Sequence, residues 1–295
     1  MNKEIWLWIL LVMLPYNERT MRIVERYGDV RSAAEAIRDG SCEMLMDEER
    51  ERAKNIRSRE VNSLIADCEA NDIRIVTIED EEYPKLLREI CVPPVVLFVR
   101  GSLENMDEGA VLAVVGSREC SAYSIEATRR ICTELAELGV AIVSGLAVGI
   151  DCTAHRSALD GGSKTIGVLA CGHLVDYPTA SRQLKQDIIK SGGAVISELL
   201  PRTGVDKDYF HHRNRIISGL AHGLFIAEAG EISGCHHTAG HATEQGRELF
   251  CLPPYNVFNP QCSGVNRYLR DGATPVFGSV DIVNGLKYRI FGVVE

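Results

Sequence analysis

The chain changes its hydrophobic rhythm once, near residue 73. Before that point apolar residues recur at helical spacing. "IWLWILLVML" is an apolar run, "TMRIVERYG" carries Met21, Val24 and Tyr27 and stops at Gly28, and "SAAEAI" and "SLIADCEAN" continue the pattern. "EMLMDEERERAKNIRSRE" at 43–60 reads as one strongly charged, solvated helix. After residue 73, short apolar runs alternate with amphipathic stretches. The runs are "IRIVTI" (73–78), "PVVLFVRG" (94–101), "AVLAVVG" (110–116), "GVAIVSG" (139–145), "TIGVLACG" (165–172), "GAVISE" (193–198), "HGLFIAEA" (222–229) and "ELFCLP" (248–253). Helices are predicted between them over 124–138, 151–160, 180–191, 213–221 and 238–246. Such alternation predicts an α/β fold whose mostly parallel sheet is covered by helices on both faces, preceded by a small all-α region.

Parallel sheets of this kind place their sites at the carboxyl ends of the strands. Here those ends are rich in glycine and serine. They include Gly116-Ser117-Arg118, Ser144-Gly145 running on to Gly149, Gly172, and Gly230 followed by Ser233-Gly234. Glycine permits close backbone approach, and amides at a helix start bind anions, so the pattern predicts a phosphate-seeking rim. Neither G-x-x-x-x-G-K-[ST] nor G-x-G-x-x-G occurs. The sequence thus gives little support to ATP hydrolysis or hydride transfer, and points to the phosphates of a nucleic-acid backbone.

Composition narrows this. The 295 residues are 45% hydrophobic and 25% charged, with a formal net charge of -9. That argues against a surface that coats nucleic acid and leaves room for a local basic groove. Ten cysteines stand singly, none in C-x-x-C, as expected of free thiols in a reducing, cytoplasmic setting. The apolar N-terminal run lacks an A-x-A cleavage site and is too short to cross a bilayer, so a buried helix and no membrane association are expected.

The densest positive charge is "FHHRNR" at 210–215. At the start of a helix predicted from 213, Arg213 and Arg215 would oppose the macrodipole, which a bound phosphate would relieve. Phe210 reads as a hydrophobic staple or a stacking platform for a base. A plainer reading makes the cluster the solvated first turn of a helix whose apolar face is Ile216, Ile217 and Leu220. Two other groupings have alternatives as well. Cys235, His236, His237 and His241 suit either zinc or a polar helix start. Asp151 and His155 suit either an acid–base pair or a helix cap in which Asp151 bonds His155. No metal, cofactor or catalytic residue is assigned.

The ordered motifs "VVGSR", "VSGLAVGIDCTAH", "GVLACG", "YP", "GGAVISE", "FHHRNRIISGL", "IAEAGEISG", "GRELFCLP" and "GVNRYLRDGA" resemble the DNA processing protein A (DprA, or Smf) family from about 75 to 280. The resemblance implies an extended Rossmann-like domain over 73–285, a helical SAM-like or helix-hairpin-helix-like domain over 1–72, and a tail over 286–295 too short for the winged-helix domain of many relatives. It implies a non-enzymatic, homodimeric protein that binds single-stranded DNA and loads the RecA recombinase during natural transformation. It assigns DNA contacts to Ser117, Arg118, Phe210, Arg213, Asn214 and Arg215, with Asn214 contacting phosphate or holding the loop. Gly116, Gly145, Gly149, Gly172, Ser233 and Gly234 form the rim. There are departures. Thr179 follows "YP" where a lysine is usual, with Arg182 or Lys185 as candidate substitutes. Pro254 stands where glycine is usual, "SGCHHTAGHA" is more polar than in relatives, and "LPYNERT" lacks the glycine of a phosphate-binding hairpin. The competing reading is a nucleotide sensor, or a nucleotide phosphoribohydrolase-like enzyme with Glu228 or Glu231 as its carboxylate.

Overall fold

The computed structural model describes residues 2–15 and 18–291, the last four of these (288–291) by backbone alone. Five helices come first: α1 (Lys3–Met13), α2 (Thr20–Tyr27), α3 (Val30–Asp39), α4 (Asp47–Asn55) and α5 (Ser58–Glu69). The α/β part follows as β1 (Arg74–Thr77), α6 (Lys85–Arg88), β2 (Val96–Gly101), β3 (Val111–Val115), α7 (Ala122–Glu137), β4 (Ala141–Ser144), α8 (Ile150–Asp160), β5 (Thr165–Val168), α9 (Arg182–Lys190) and β6 (Ala194–Ser197). It closes with α10 (Lys207–Gly219), β7 (Gly223–Ile226), α11 (Cys235–Glu244), β8 (Glu248–Cys251), α12 (Ser263–Arg270), β9 (Thr274–Pro275) and α13 (Ser279–Phe291).

Among the described residues, nine strands form one sheet in the order β1-β2-β6-β5-β4-β3-β7-β8-β9. From β6 to β9 every pairing is parallel; β1–β2 and β2–β6 are antiparallel. The order reverses around β3, which lies between β4 and β7. A crevice therefore opens beyond the carboxyl ends of those central strands. β3 to β7 are buried along nearly their whole length, as expected of a sheet covered on both faces.

The apolar start of the chain is a buried helix, as expected. Trp6, Leu7, Ile9, Val12 and Met13 are fully enclosed, and the indole of Trp8 donates to the carbonyl of Ile56 at 3.3 Å. These side chains share one continuous core with β1 and β2. Three local expectations need correction. The charged stretch 43–60 is two helices, because the backbone turns extended at Ile56 and Arg57. The predicted helix from 213 begins at Lys207. The segment expected to form a tail from 286 starts inside α13. Residues 16 and 17 of "LPYNERT" and 292–295 of the tail lie outside the described residues.

Candidate nucleic-acid interface

The loop after β3 is clamped from two sides. The amide of Ser117 donates to the carbonyl of Glu228 at 2.8 Å, and its own carbonyl accepts from the amide of Ile150 at 3.4 Å. The buried carboxylate of Glu228 accepts from the hydroxyls of Ser121 at 2.6 Å and Ser124 at 2.7 Å, which pins the start of α7. Arg118 is thus presented on a stiff backbone. Its guanidinium carbon lies 5.6 Å from the centre of the Phe210 ring, and that ring meets Tyr177 edge-on at 5.7 Å.

Phe210 belongs to the first turn of α10. Asp206 caps this helix by accepting from the amide of Asp208 at 2.9 Å. Arg213 and Arg215 therefore sit in the helix interior, where the macrodipole argument for a bound phosphate does not hold. Both are buried, at 6% and 5% exposure, and both have protein partners. Arg213 donates to the carbonyls of Gly145, at 3.0 Å, and Val168, tying together the carboxyl ends of β4 and β5. Arg215 forms a two-pronged ion pair with Glu198 at 2.7 and 2.6 Å and donates to the carbonyl of Val92 at 3.0 Å. Asn214 reaches the carbonyl of Gly234 at 3.4 Å, which is the loop-holding arrangement. An acidic chain sets these charges against its core because they bind carbonyl ends and a buried carboxylate.

Asp151, in the first turn of α8, accepts from the amides of Gly145 at 3.1 Å and Ala147 at 3.4 Å. Burial pushes its carboxyl up to about 6, with Arg213 opposing the shift; burial likewise pulls Arg213 down to about 10, with Asp151 opposing. The expected bond from Asp151 to His155 is not formed. His155 Nδ1 instead bonds the Thr165 hydroxyl at 2.7 Å, and burial drops this imidazole to about 3.

A cavity of about 690 Å³ opens in the crevice. Ser117, Arg118, Lys207, Phe210, Asn214 and Ile232 frame it, and Arg213 and Asp151 form part of its wall. Gly116, Ser233 and Gly234 also line it, while Gly145 lines a smaller adjoining pocket beside Tyr177 and Arg118. Arg215, Gly149 and Gly172 line neither. The two glycines answer to the protein's own backbone. Gly149 has φ +85° and a Cβ there would lie 2.5 Å from the Ser117 carbonyl; at Gly172 it would lie 2.2 Å from that of Leu200. Lys207 and Ile232 escaped the sequence reading. Asp206 immediately before Lys207 was the available signal for the first, as a helix cap.

The candidate substitutes for the missing lysine at Thr179 are engaged elsewhere. Arg182 pairs with Asp176, and Lys185 donates to the carbonyl of Tyr177 at 3.0 Å. Lys207, at the start of α10, lines the cavity. Among the described residues no three His, Cys, Asp or Glu side chains are grouped to hold a metal ion. His236 is bonded to Tyr268 and to the carbonyls of Gly230 and Glu231, and His237 packs on His211 with ring centres 4.0 Å apart.

Fold and site together define a doubly wound α/β protein with an arginine–aromatic cleft at its topological switch point. The model of the DNA recombination-mediator protein A family matches residues 74–287, and the chain belongs to that family. It is 36% identical to the DNA processing protein DprA of Bacillus subtilis over 217 residues, covering 74% of this chain and 72% of that one. It is 32% identical to protein Smf of Escherichia coli over 289 residues, covering 98% of this chain and 76% of the other. Among solved structures, DprA of Streptococcus pneumoniae superposes with a TM-score of 0.84 at 32% identity, over 96% of this chain and 97% of that one. DprA of Helicobacter pylori, described for its single-stranded DNA binding mode, superposes with a TM-score of 0.65 at 30% identity, over 73% of this chain and 97% of its own.

Proposed function

We propose that this protein binds single-stranded DNA as a recombination mediator, with Arg118, held over Phe210 on its clamped loop, as the principal phosphate contact. The observation that carries this reading is the cavity at the switch point. It presents Arg118 beside an aromatic ring, with Lys207 on the same lining, in a chain of the recombination-mediator family. Cationic groups that follow a backbone, together with rings that accept any base, suit sequence-tolerant single-strand binding. Ser117 and Asn214 shape the cleft. Arg213, in the cavity wall, ties the ends of β4 and β5 together beneath it, and Arg215 pairs with Glu198 away from it, so neither is a direct contact in this reading.

The same reading extends to a homodimer that acts in the cytoplasm and loads the RecA recombinase on incoming strands during natural transformation. The family's description as a recombination mediator supports the class of activity. Among the described residues, no helix is long and apolar enough to cross a membrane. Of the carboxylates the enzyme reading would use, Glu228 is enclosed beneath the start of α7 and holds two serine hydroxyls, and Glu231 does not line the cavity. Asp151 and Glu119 do line it, and Asp151 is held by the amides of Gly145 and Ala147.

Fluorescence anisotropy with labelled oligo-dT and a duplex, across a salt series, tests this. The expected outcome is preferential, salt-sensitive single-strand binding that weakens in Arg118→Ala. Failure to bind either oligonucleotide at low salt overturns the reading.

A further inference from the structure

The turn between β7 and α11 presents an isoleucine to solvent. Ile232 is 101% exposed, and its side chain stands at the mouth of the cavity that Arg118, Lys207 and Phe210 frame. Val205, 44% exposed, lines the same cavity from the loop ahead of α10. An isolated exposed apolar residue is ordinary on a protein surface. Two exposed apolar residues lining a cavity that also carries Arg118 and Lys207, one of them on an anchored loop, are a different arrangement.

The anchor is His236. Its Nε2–H donates to the carbonyls of Gly230 at 3.0 Å and Glu231 at 2.8 Å, the two residues before Ile232. Its Nδ1 faces the Tyr268 hydroxyl and lies 3.1 Å from the Arg267 guanidinium, so α12 fixes the ring that fixes the loop. Beyond Ile232, the Gly234 carbonyl accepts from Asn214, and the Ser233 hydroxyl accepts from the amide of Cys235 at 3.3 Å. The backbone on both sides of Ile232 is therefore held, with its side chain fully exposed.

Resting on the DNA-binding reading above, we infer that Ile232, with Val205, is an apolar lip that packs against one unpaired nucleobase while Arg118 and Lys207 hold the neighbouring phosphates. The chemistry separates the two kinds of contact. Phosphates are the same in single strands, duplexes and abasic chains, whereas an accessible base face exists only in an unpaired, base-bearing strand. Apolar side chains that contact base faces are a known means of engaging an unstacked step. The Arg118 guanidinium already lies over the Phe210 ring, so that ring is partly covered, and an apolar surface elsewhere at the cavity mouth gives a base somewhere to pack. The lip thus supplies discrimination for single strands that charge alone cannot.

The test compares wild type with Ile232→Ala on oligo-dT of about 12 nucleotides, within the usual span of single-strand sites, and on an abasic strand of equal length and charge. Ile232 packs on nothing in the described protein, so its truncation leaves the fold intact; thermal melting confirms this, and Ile232→Ser repeats the measurement with a second side chain. The expected result is that both variants bind oligo-dT about tenfold more weakly while binding the abasic strand as wild type does. Equal weakening on both strands, or no weakening on oligo-dT, overturns the lip and leaves the DNA-binding reading standing. So does a wild type that binds the two strands alike. A wild type that binds neither strand overturns the DNA-binding reading itself, and the lip with it.

Discussion

Arg118 and Phe210, brought together from the ends of two different elements, lie with the guanidinium carbon 5.6 Å from the ring centre. The ring holds the cation over the cleft without satisfying its N–H groups, which stay available for phosphate. Arg118→Ala is expected to weaken single-strand binding about tenfold and to lower the salt slope by roughly 0.7. Phe210→Leu keeps the bulk and removes the π face, and is expected to cost about threefold with the slope unchanged. A salt titration by anisotropy reads both. An unchanged slope in Arg118→Ala would remove this residue from the phosphate contacts.

Arg215 answers to stability. Its two-pronged pair with Glu198 is buried on both sides, so truncating either partner leaves the other charge enclosed and unpaired. Arg215→Ala is expected to destabilise the protein by about 3–5 kcal/mol in urea unfolding, while apolar replacement of Arg215 and Glu198 together recovers much of that loss. A fully stable Arg215→Ala protein with impaired DNA binding would return Arg215 to the list of direct contacts.

Asp151 makes a prediction in pH. Its pKa is raised from 3.8 to about 6 in the folded protein. The stability it contributes is therefore complete below pH 3.8 and is lost as pH rises through about 6. His155, lowered from 6.5 to about 3, and His173, lowered to about 4, act in the opposite sense, losing stability as the solution is acidified below 6.5. The comparison that isolates Asp151 is Asp151→Asn against wild type. Relative to wild type, the Asn protein should gain about 2.4 kcal/mol between pH 4 and pH 8, read from urea midpoints. A difference that does not vary with pH would show that the carboxylate titrates at its ordinary value.

Gly149 links α8 to the Arg118 loop. A methyl group there meets the Ser117 carbonyl at 2.5 Å on a backbone with φ +85°. Gly149→Ala should shift the loop and weaken single-strand binding about as much as Arg118→Ala, and should destabilise the fold by about 1–3 kcal/mol. Anisotropy and thermal melting on one preparation separate the two effects. Wild-type affinity in Gly149→Ala would mean that the loop geometry does not govern the contact.

Eight strands were legible in the sequence because each is a short apolar run bounded by glycine or polar residues. β9 was not, since Thr274 and Pro275 are too few to show a period. The start of α10 was misplaced because "DKDY" carries no apolar rhythm. Its legible signal was Asp206 as a cap. Arg118 and Phe210 stand out in the sequence as a cation after a glycine turn and a ring before a charged cluster. The partners of Arg213 and Arg215 do not, because Gly145 and Glu198 lie 68 and 17 residues away along the chain. Pairing across the sheet consumes those two charges, and only the fold shows it.

The carboxylate of Asp151 already occupies the amides of Gly145 and Ala147 in the turn between β4 and α8. The turn therefore carries its own resident anion. On the DNA-binding reading proposed above, that seat is closed to an incoming phosphate, and a strand would be held at Arg118 and Lys207 instead.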